Sequence, residues 1–291
     1  MKINILICKL MNCLFRKPMV YGRRSMEDYA KWEFDNAQSN LEIFKPYSSI
    51  KAKSILDVGC GMGGKSTYYA LNGAKEVVAL DTDLDRIKTG TKTTKLKDIT
   101  NLRFVTADAR ELPFKSNSFD LVMMNDCIEH LFNLEESLSE CYRILKDTGI
   151  ILANWMSYRS PFGAHLYDYV YTPWCHLVFS EKALVKIWKE EFSKEYESGK
   201  NLSEQFSPAD ICNTMTIREL QHLNKITVKE FGKTVQKAKF SMLKCDLITT
   251  YPFKDLPFLG KFGYEFQMFA KRLPLDLKEY FTGSIITVLQ K

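Results

Sequence analysis

From Ser54 onward the apolar positions switch between two periods. The run Ser54-Ile55-Leu56-Asp57-Val58 is short and apolar and enters a cluster of glycines, the pattern of a buried strand. Lys65 to Asn72 reads as a helix stopped by Gly73. A strand over Glu76 to Asp81 follows, then a helix over Leu84 to Lys97 and strands over Leu102 to Thr106 and Phe119 to Met124. Leu134 to Leu145 has the spacing of an amphipathic helix, and Gly149 to Trp155 that of a fifth strand. Alternation at this spacing predicts an α/β fold built on a doubly wound parallel sheet.

The rhythm breaks after Trp155. Residues 156–227 are rich in aromatics at first and in charges later, without strand alternation. It resumes with a helix over Val228 to Ala238, a strand over Met242 to Thr250 and a last strand over Gly283 to Leu289. The expected organisation is an N-terminal helical segment over 1–49, a core over 50–155, an insertion over 156–227 and a C-terminal completion of the sheet over 228–291. An insertion leaving the fifth strand is expected to form a lid at the ligand end of such a sheet.

Composition changes little in this picture, because 45% hydrophobic and 26% charged residues are ordinary for a globular protein. Eight cysteines without paired Cys-x-x-Cys motifs argue against a zinc site or a disulfide framework, and fit a reducing, cytoplasmic location. Charge matters more. Lys2, Lys9, Arg16, Lys17, Arg23 and Arg24 precede the first acid, Glu27, and account for the whole formal excess of +6. The balanced remainder carries no signal for a nucleic-acid partner.

Ile3, Ile5, Leu6, Ile7, Leu10, Met11, Leu14 and Phe15 share this N-terminus, interrupted by Lys9. The run is too short for a span of about 20 residues and lacks the cleavage site of a signal peptide. On a helix, Lys2, Lys9, Asn12 and Arg16 fall on one side. Such a helix either lies on an anionic membrane surface, giving peripheral membrane contact, or docks on the protein's own body.

The glycine loop Gly59-Cys60-Gly61-Met62-Gly63-Gly64-Lys65-Ser66 fits three ligand classes. It matches G-x-G-x-x-G for dinucleotides and G-x-x-x-x-G-K-[ST] for a P-loop, and also the looser loop of enzymes that bind S-adenosylmethionine. Asp57 precedes the loop, Asp81 ends the second strand and Asp108 follows the third. Strand ends converge on one crevice, so three carboxylates would line it. They suit a sulfonium, an ammonium and ribose hydroxyls, and repel a polyphosphate. The P-loop match through Lys65 and Ser66 is therefore read as coincidence. A nicotinamide-dependent oxidoreductase remains the alternative enzyme, because Asp81 lies about where a ribose-binding acid should be. A catalytically inactive regulator that binds the methyl donor is the non-enzymatic alternative.

The stretch Phe104-Val105-Thr106-Ala107-Asp108-Ala109-Arg110-Glu111-Leu112-Pro113-Phe114, followed by Ser118-Phe119-Asp120-Leu121-Val122, resembles a block of class I, S-adenosylmethionine-dependent methyltransferases, most of all their type-11 group. Cys141 to Gly149 is similar to that group's helix end, with Asp147-Thr148 in place of Pro-Gly at what would be a turn. The resemblance implies a Rossmann-like methyltransferase sheet, S-adenosylmethionine as cofactor, and roles for matching residues. Asp57 would lie at the amino-acid end, Gly59, Cys60 and Gly61 along the backbone cradle, and Asp81 with Thr82 at the ribose. Asp108 and Ala109 would lie at the adenine, and Asn125 at the methionine moiety. Glu129-His130 matches an acid–histidine pair, for which helix capping is expected ahead of a substrate contact by His130.

Displacement at a sulfonium depends on alignment, and a base is needed mainly when the acceptor is a hydroxyl. The insertion opens with two histidines, His165 and His176, the candidate bases, with His165 favoured because it is nearer the fifth strand. Tyr167, Tyr169, Tyr171 and Trp174 could wall an apolar acceptor, and Tyr167 and Trp174 are the candidate contacts. The two histidines have no Cys or Glu partner at ligand spacing, so no metal is expected. The function expected is methyl transfer, O-directed, to a small lipid-like, quinone-like or saccharide acceptor.

Overall fold

The computed structural model describes residues 2–15, 25–95, 98–198, 211–253, 256 and 259–291. Arg16, Lys17, Arg23 and Arg24 of the basic segment, and Lys97 of the expected second helix, lie outside the described residues. In chain order come helices α1 (Lys2–Asn12) and α2 (Met26–Phe44), strand β1 (Ser54–Val58), α3 (Gly64–Leu71), β2 (Glu76–Asp81), α4 (Leu84–Lys95), β3 (Leu102–Thr106) and β4 (Phe119–Asn125). A 3-10 turn (Ile128–His130) precedes α5 (Leu134–Ile144) and β5 (Leu145–Trp155). Beyond them lie α6 (Cys175–Val178), α7 (Glu181–Glu197), α8 (Ile217–Gln221), α9 (Val228–Lys237), β6 (Ser241–Thr249), α10 (Gly263–Lys271), α11 (Leu275–Lys278) and β7 (Thr282–Gln290).

Seven strands form one sheet in the order β3-β2-β1-β4-β5-β7-β6. The first five pair in parallel, with Leu56 opposite Val78 on one side and Val122 on the other. Every residue of β1 is buried, as expected of a central strand covered on both faces. Ile55, Leu121, Met123, Leu152, Ile286 and Val288 form part of the apolar core, which Tyr69 of α3 and Phe44 of α2 complete. Their burial holds the strand ends in register, and those ends carry the site.

Two blocks that carry the family resemblance turn out to lock this frame. Arg143 at the end of α5 donates to the Leu112 and Phe114 carbonyls at 2.9 and 2.7 Å and pairs with Glu140, which itself accepts from the Leu112 amide. Asp120 accepts from the Ser54 amide and from Lys146 Nζ, tying β1, β4 and β5. One expectation needs correcting. Asp147-Thr148 was expected in a turn before the fifth strand, but β5 starts at Leu145 and the register slips between Phe119 opposite Leu145 and Leu121 opposite Ile150. The extra residues are taken up inside the strand as a bulge-like irregularity.

The chain divides into two compact units. The sheet unit holds residues 24–155, 231–246 and 286–291; the second holds 1–23, 156–230 and 247–285. The expected N-terminal segment 1–49 is thus shared between them, with α2 in the sheet unit, and so is the expected completion 228–291. The second unit has its own core, in which Trp188 and Phe192 stack at 5.4 Å and Tyr169 meets Trp188 edge-on at 5.0 Å.

Candidate cofactor site

The strand order reverses between β1 and β4, the point at which open α/β sheets take ligands beyond their strand ends. After β1 the chain turns through Gly59, Gly61 and Gly63 at φ of 71°, 55° and 76°, a region that costs other residues conformational energy. A Cβ on Gly59 would lie 2.8 Å from Cys127 Sγ, and one on Gly63 2.5 Å from the Phe104 ring, so neither position takes a side chain unless its neighbour shifts. A Cβ on Gly61 would meet nothing within 4 Å. Open space against a left-handed backbone is room for a ligand. Gly64 differs again, since its Cβ would lie 2.2 Å from the Ala30 carbonyl of α2. Gly64, which completes the P-loop-like spacing, is there for helix packing.

Asp57 and Asp81 stand close enough for their charges to act on each other. Asp57 is buried and accepts from Ser66 Oγ at 2.5 Å. Burial pushes its carboxyl up to about 7; Ser66 and Lys65 oppose this, and the charges of Glu33 and Asp81 add to it. Asp81 accepts from the Gly61 amide at 2.9 Å and from the Asp83 amide at 3.0 Å, which closes the loop onto the second strand. The Ala107 amide bonds to the Asp81 carbonyl, so the segment carrying Asp108 and the buried Ala109 follows directly. Thr82 is exposed beside Asp81. Cys60 is buried within the turn.

Asp108 is already engaged. Arg110 grips both of its oxygens through Nε and Nη2, at 2.7 to 3.1 Å, and adds its own amide at 2.8 Å. That hydrogen bonding holds Asp108 below its ordinary value. Each carboxylate oxygen accepts twice from Arg110, so the grip orients Asp108 and a ligand donor would compete with Arg110 for it.

One pair escaped the sequence reading. Lys65 does not point at a phosphate-binding loop; its buried ammonium lies 3.1 Å from Glu33 of α2 and 3.8 Å from Asp126, just past β4. Burial alone would pull Lys65 down, but Glu33 and Asp126 outweigh it and hold the ammonium above its ordinary value. Burial raises Glu33, against the pull of Lys65. Glu33 Oε2 and Asn125 Oδ1 are both buried without a protein donor, although Asn125 Nδ2 bonds to Tyr69 Oη at 3.1 Å. Orphaned buried acceptors of this kind call for a donor. A signal existed in the sequence: Glu33, Ala37 and Phe44 lie on one buried stripe of α2, and an acid on such a stripe needs a cation.

Glu129 is buried and His130 half-buried in the 3-10 turn. The cap of α5 is Asn133, whose side chain accepts from the Glu136 amide, so capping does not fall to the Glu129-His130 pair. In the second unit the two candidate bases lie in different surroundings. His176 Nε2 donates to the Tyr158 carbonyl at 2.6 Å, and burial lowers the imidazole to about 4. His165, at φ 51°, is half-buried with its ring 5.8 Å from that of Tyr167. Trp174 donates to the Tyr280 carbonyl at 2.7 Å and packs against Phe253 and Phe281.

Residues 56–153 match the family model of a methyltransferase domain. A demethylmenaquinone methyltransferase of Listeria welshimeri is 27% identical over 199 residues, 66% of this chain and 82% of that protein. A sterol 24-C-methyltransferase of Pneumocystis carinii is 33% identical over 103 residues, 34% of this chain and 27% of the sterol enzyme. The crystal structure of the [4+2]-cyclase SpnF shares the fold at a TM-score of 0.53 and 13% identity, covering 100% of this chain and 94% of the cyclase. Residues 56–153 are thus a methyltransferase domain of the S-adenosylmethionine-dependent kind, and the protein is a methyltransferase. Its cofactor is S-adenosylmethionine, and the residues fit that group: open backbone at Gly61, acids around it, and buried acceptors awaiting a donor.

Proposed function

We propose that the protein transfers a methyl group to oxygen on a small apolar acceptor of the quinone or sterol kind. S-adenosylmethionine supplies the methyl group on an electrophilic sulfonium. The observation that carries the cofactor half of this reading is Gly61, held by Asp81 with open space against its backbone. Asp81 and Thr82 would take the ribose hydroxyls, Asp108 and Ala109 the adenine edge, and Asp57, Asn125 and the Lys65–Glu33 pair the charged amino-acid end. The cationic ligand offsets the surplus of carboxylates.

The acceptor class draws support from the names of the two relatives and from the aromatic start of the 156–230 segment. The acceptor atom does not, since the sterol relative's name specifies carbon; oxygen is assigned because a histidine in that segment could serve as the base a hydroxyl needs. We assign the general base to His165 and a contact to Tyr167 because both follow β5 closely in the sequence; His176 donates to a backbone carbonyl and is lowered by burial. Trp174 and His130 remain candidate contacts.

Calorimetric titration with S-adenosylmethionine, a nicotinamide dinucleotide and ATP tests the cofactor assignment. Asp81→Ala should weaken the adenosyl ligand by ~10-fold or more, and preference for either competitor would overturn the reading. His165→Gln should lower kcat with KM little changed; full activity in that variant removes the assigned base. Analysis of the methylated product for a new O-methyl group decides the direction of transfer.

A further inference from the structure

Methyl transfer has no use for the way helix α1 is turned. Lys9 Nζ pairs with Glu190 at 2.8 Å. Asn12 donates to the Tyr169 carbonyl at 2.9 Å and accepts from the amides of Tyr171 and Thr172. Cys8 is fully buried in the core of this unit. The polar side of the helix is therefore the fastened side. At about 100° per residue, Ile3, Leu6, Ile7 and Leu10 fall within one arc roughly opposite these anchors. All four are exposed, Leu6 by 59% and Leu10 by 61%, and so is Leu14 in the turn that follows. A helix on a water-soluble body normally hides its apolar stripe, and an exposed contiguous one marks a site of interaction.

We propose that this stripe is a membrane-docking face whose occupant is the interfacial layer of an anionic bilayer. Charge selects the occupant. The sequence from Met1 to Arg24 carries six cations and no acid, and among the described residues the ion pair with Glu190 neutralises Lys9. Two copies meeting stripe to stripe would present the same patch to each other and set these cations against themselves. An anionic lipid surface attracts each of them. No helix among the described residues is long and apolar enough to cross a membrane, so α1 would lie in the interfacial plane with its leucines in the headgroup–acyl boundary. The anchors at Lys9 and Asn12 fix the roll of the helix, so the leucines are presented without a further ordering cost. The proposal goes beyond the methyl-transfer reading and does not depend on it.

Co-sedimentation of the full chain with vesicles tests it, using phosphatidylcholine alone and a phosphatidylcholine–phosphatidylglycerol mixture. The protein should bind the mixed vesicles, less at high salt, and Leu6→Ser/Leu10→Ser should weaken binding by ~10-fold or more. Helical content and S-adenosylmethionine affinity should stay unchanged in that variant, since both side chains are exposed. Leu6→Glu alone serves as a second variant and should lose vesicle binding. Three results would overturn the proposal: no binding to either vesicle, equal binding to both, or binding that survives the substitutions. A concentration-dependent dimer in sedimentation velocity that the double substitution abolishes would assign the stripe to a second copy instead.

Discussion

Asp57 is buried and His176 half-buried, and they tilt the pH dependence of the protein in opposite directions. Asp57 is raised by burial to about 7 from 3.8. Between those values the folded state binds more protons than the unfolded one, so this contribution is present at low pH and is lost as pH rises through 7. A cationic ligand beside Asp57 favours its ionised form, so binding should release a proton and S-adenosylmethionine affinity should rise up to about pH 7 and then level. Calorimetry in two buffers of different ionisation heat reads the proton directly, and a pH-independent affinity would sink the assignment. Asp57→Asn should stabilise the ligand-free protein at pH 8 by about 1–3 kcal/mol while weakening the cofactor. His176 is lowered by burial to about 4 from 6.5. The folded state there binds fewer protons than the unfolded one, so stability is lost as pH falls from 6.5 towards 4. His176→Asn should make the acid limb of a thermal-melting profile shallower; an unchanged limb would show that another group controls it.

At the scale of elements, the glycine loop separates binding from packing. Gly61→Ala introduces a Cβ at φ 55° into open space, and Gly64→Ala drives one to 2.2 Å from the Ala30 carbonyl. The first should cost ~1 kcal/mol of stability and ~10-fold or more in cofactor affinity. The second should cost ~2 kcal/mol or more in stability, since α2 must move from α3. Thermal melts and titration on the same two variants check both, and equal effects on affinity would refute the division. This contrast also marks how far the sequence is legible. Strands β1 to β5 could be read because each is a short apolar run with a polar break, a local signal. The expectation that Asp57, Asp81 and Asp108 share a crevice rests on a parallel sheet bringing its strand ends together. The Lys65–Glu33 pair spans 32 positions, and no period or spacing links residues on α3 and α2. The tilt of α1 was equally hidden, because its pattern showed two faces without saying which one the body would take.

For the whole molecule, the path of the chain matters more than the count of its elements. The second unit draws on three separate stretches, and its polar ties run between them. Asn12 of the first is bonded to residues 169, 171 and 172 of the second. Glu279 of the third is buried and accepts from Ser157, from the Val228 amide at 2.8 Å and from Arg159 at 3.4 Å. The stretch after β5 is continuous in sequence, so it resembles an insertion that could be excised. Removing 156–227 would in fact strip Asn12 and Glu279 of partners and uncover Cys8 from a core otherwise built by that stretch. A buried carboxylate left with most of its donors gone costs several kcal/mol, comparable to a sizeable part of the net stability of a domain. The deletion variant should therefore aggregate or melt without cooperativity, while the intact chain elutes as a defined species. Size-exclusion chromatography and thermal melting decide it. A soluble deletion variant with a sharp transition would show that residues 1–23 and 247–285 find their fold without the stretch between them.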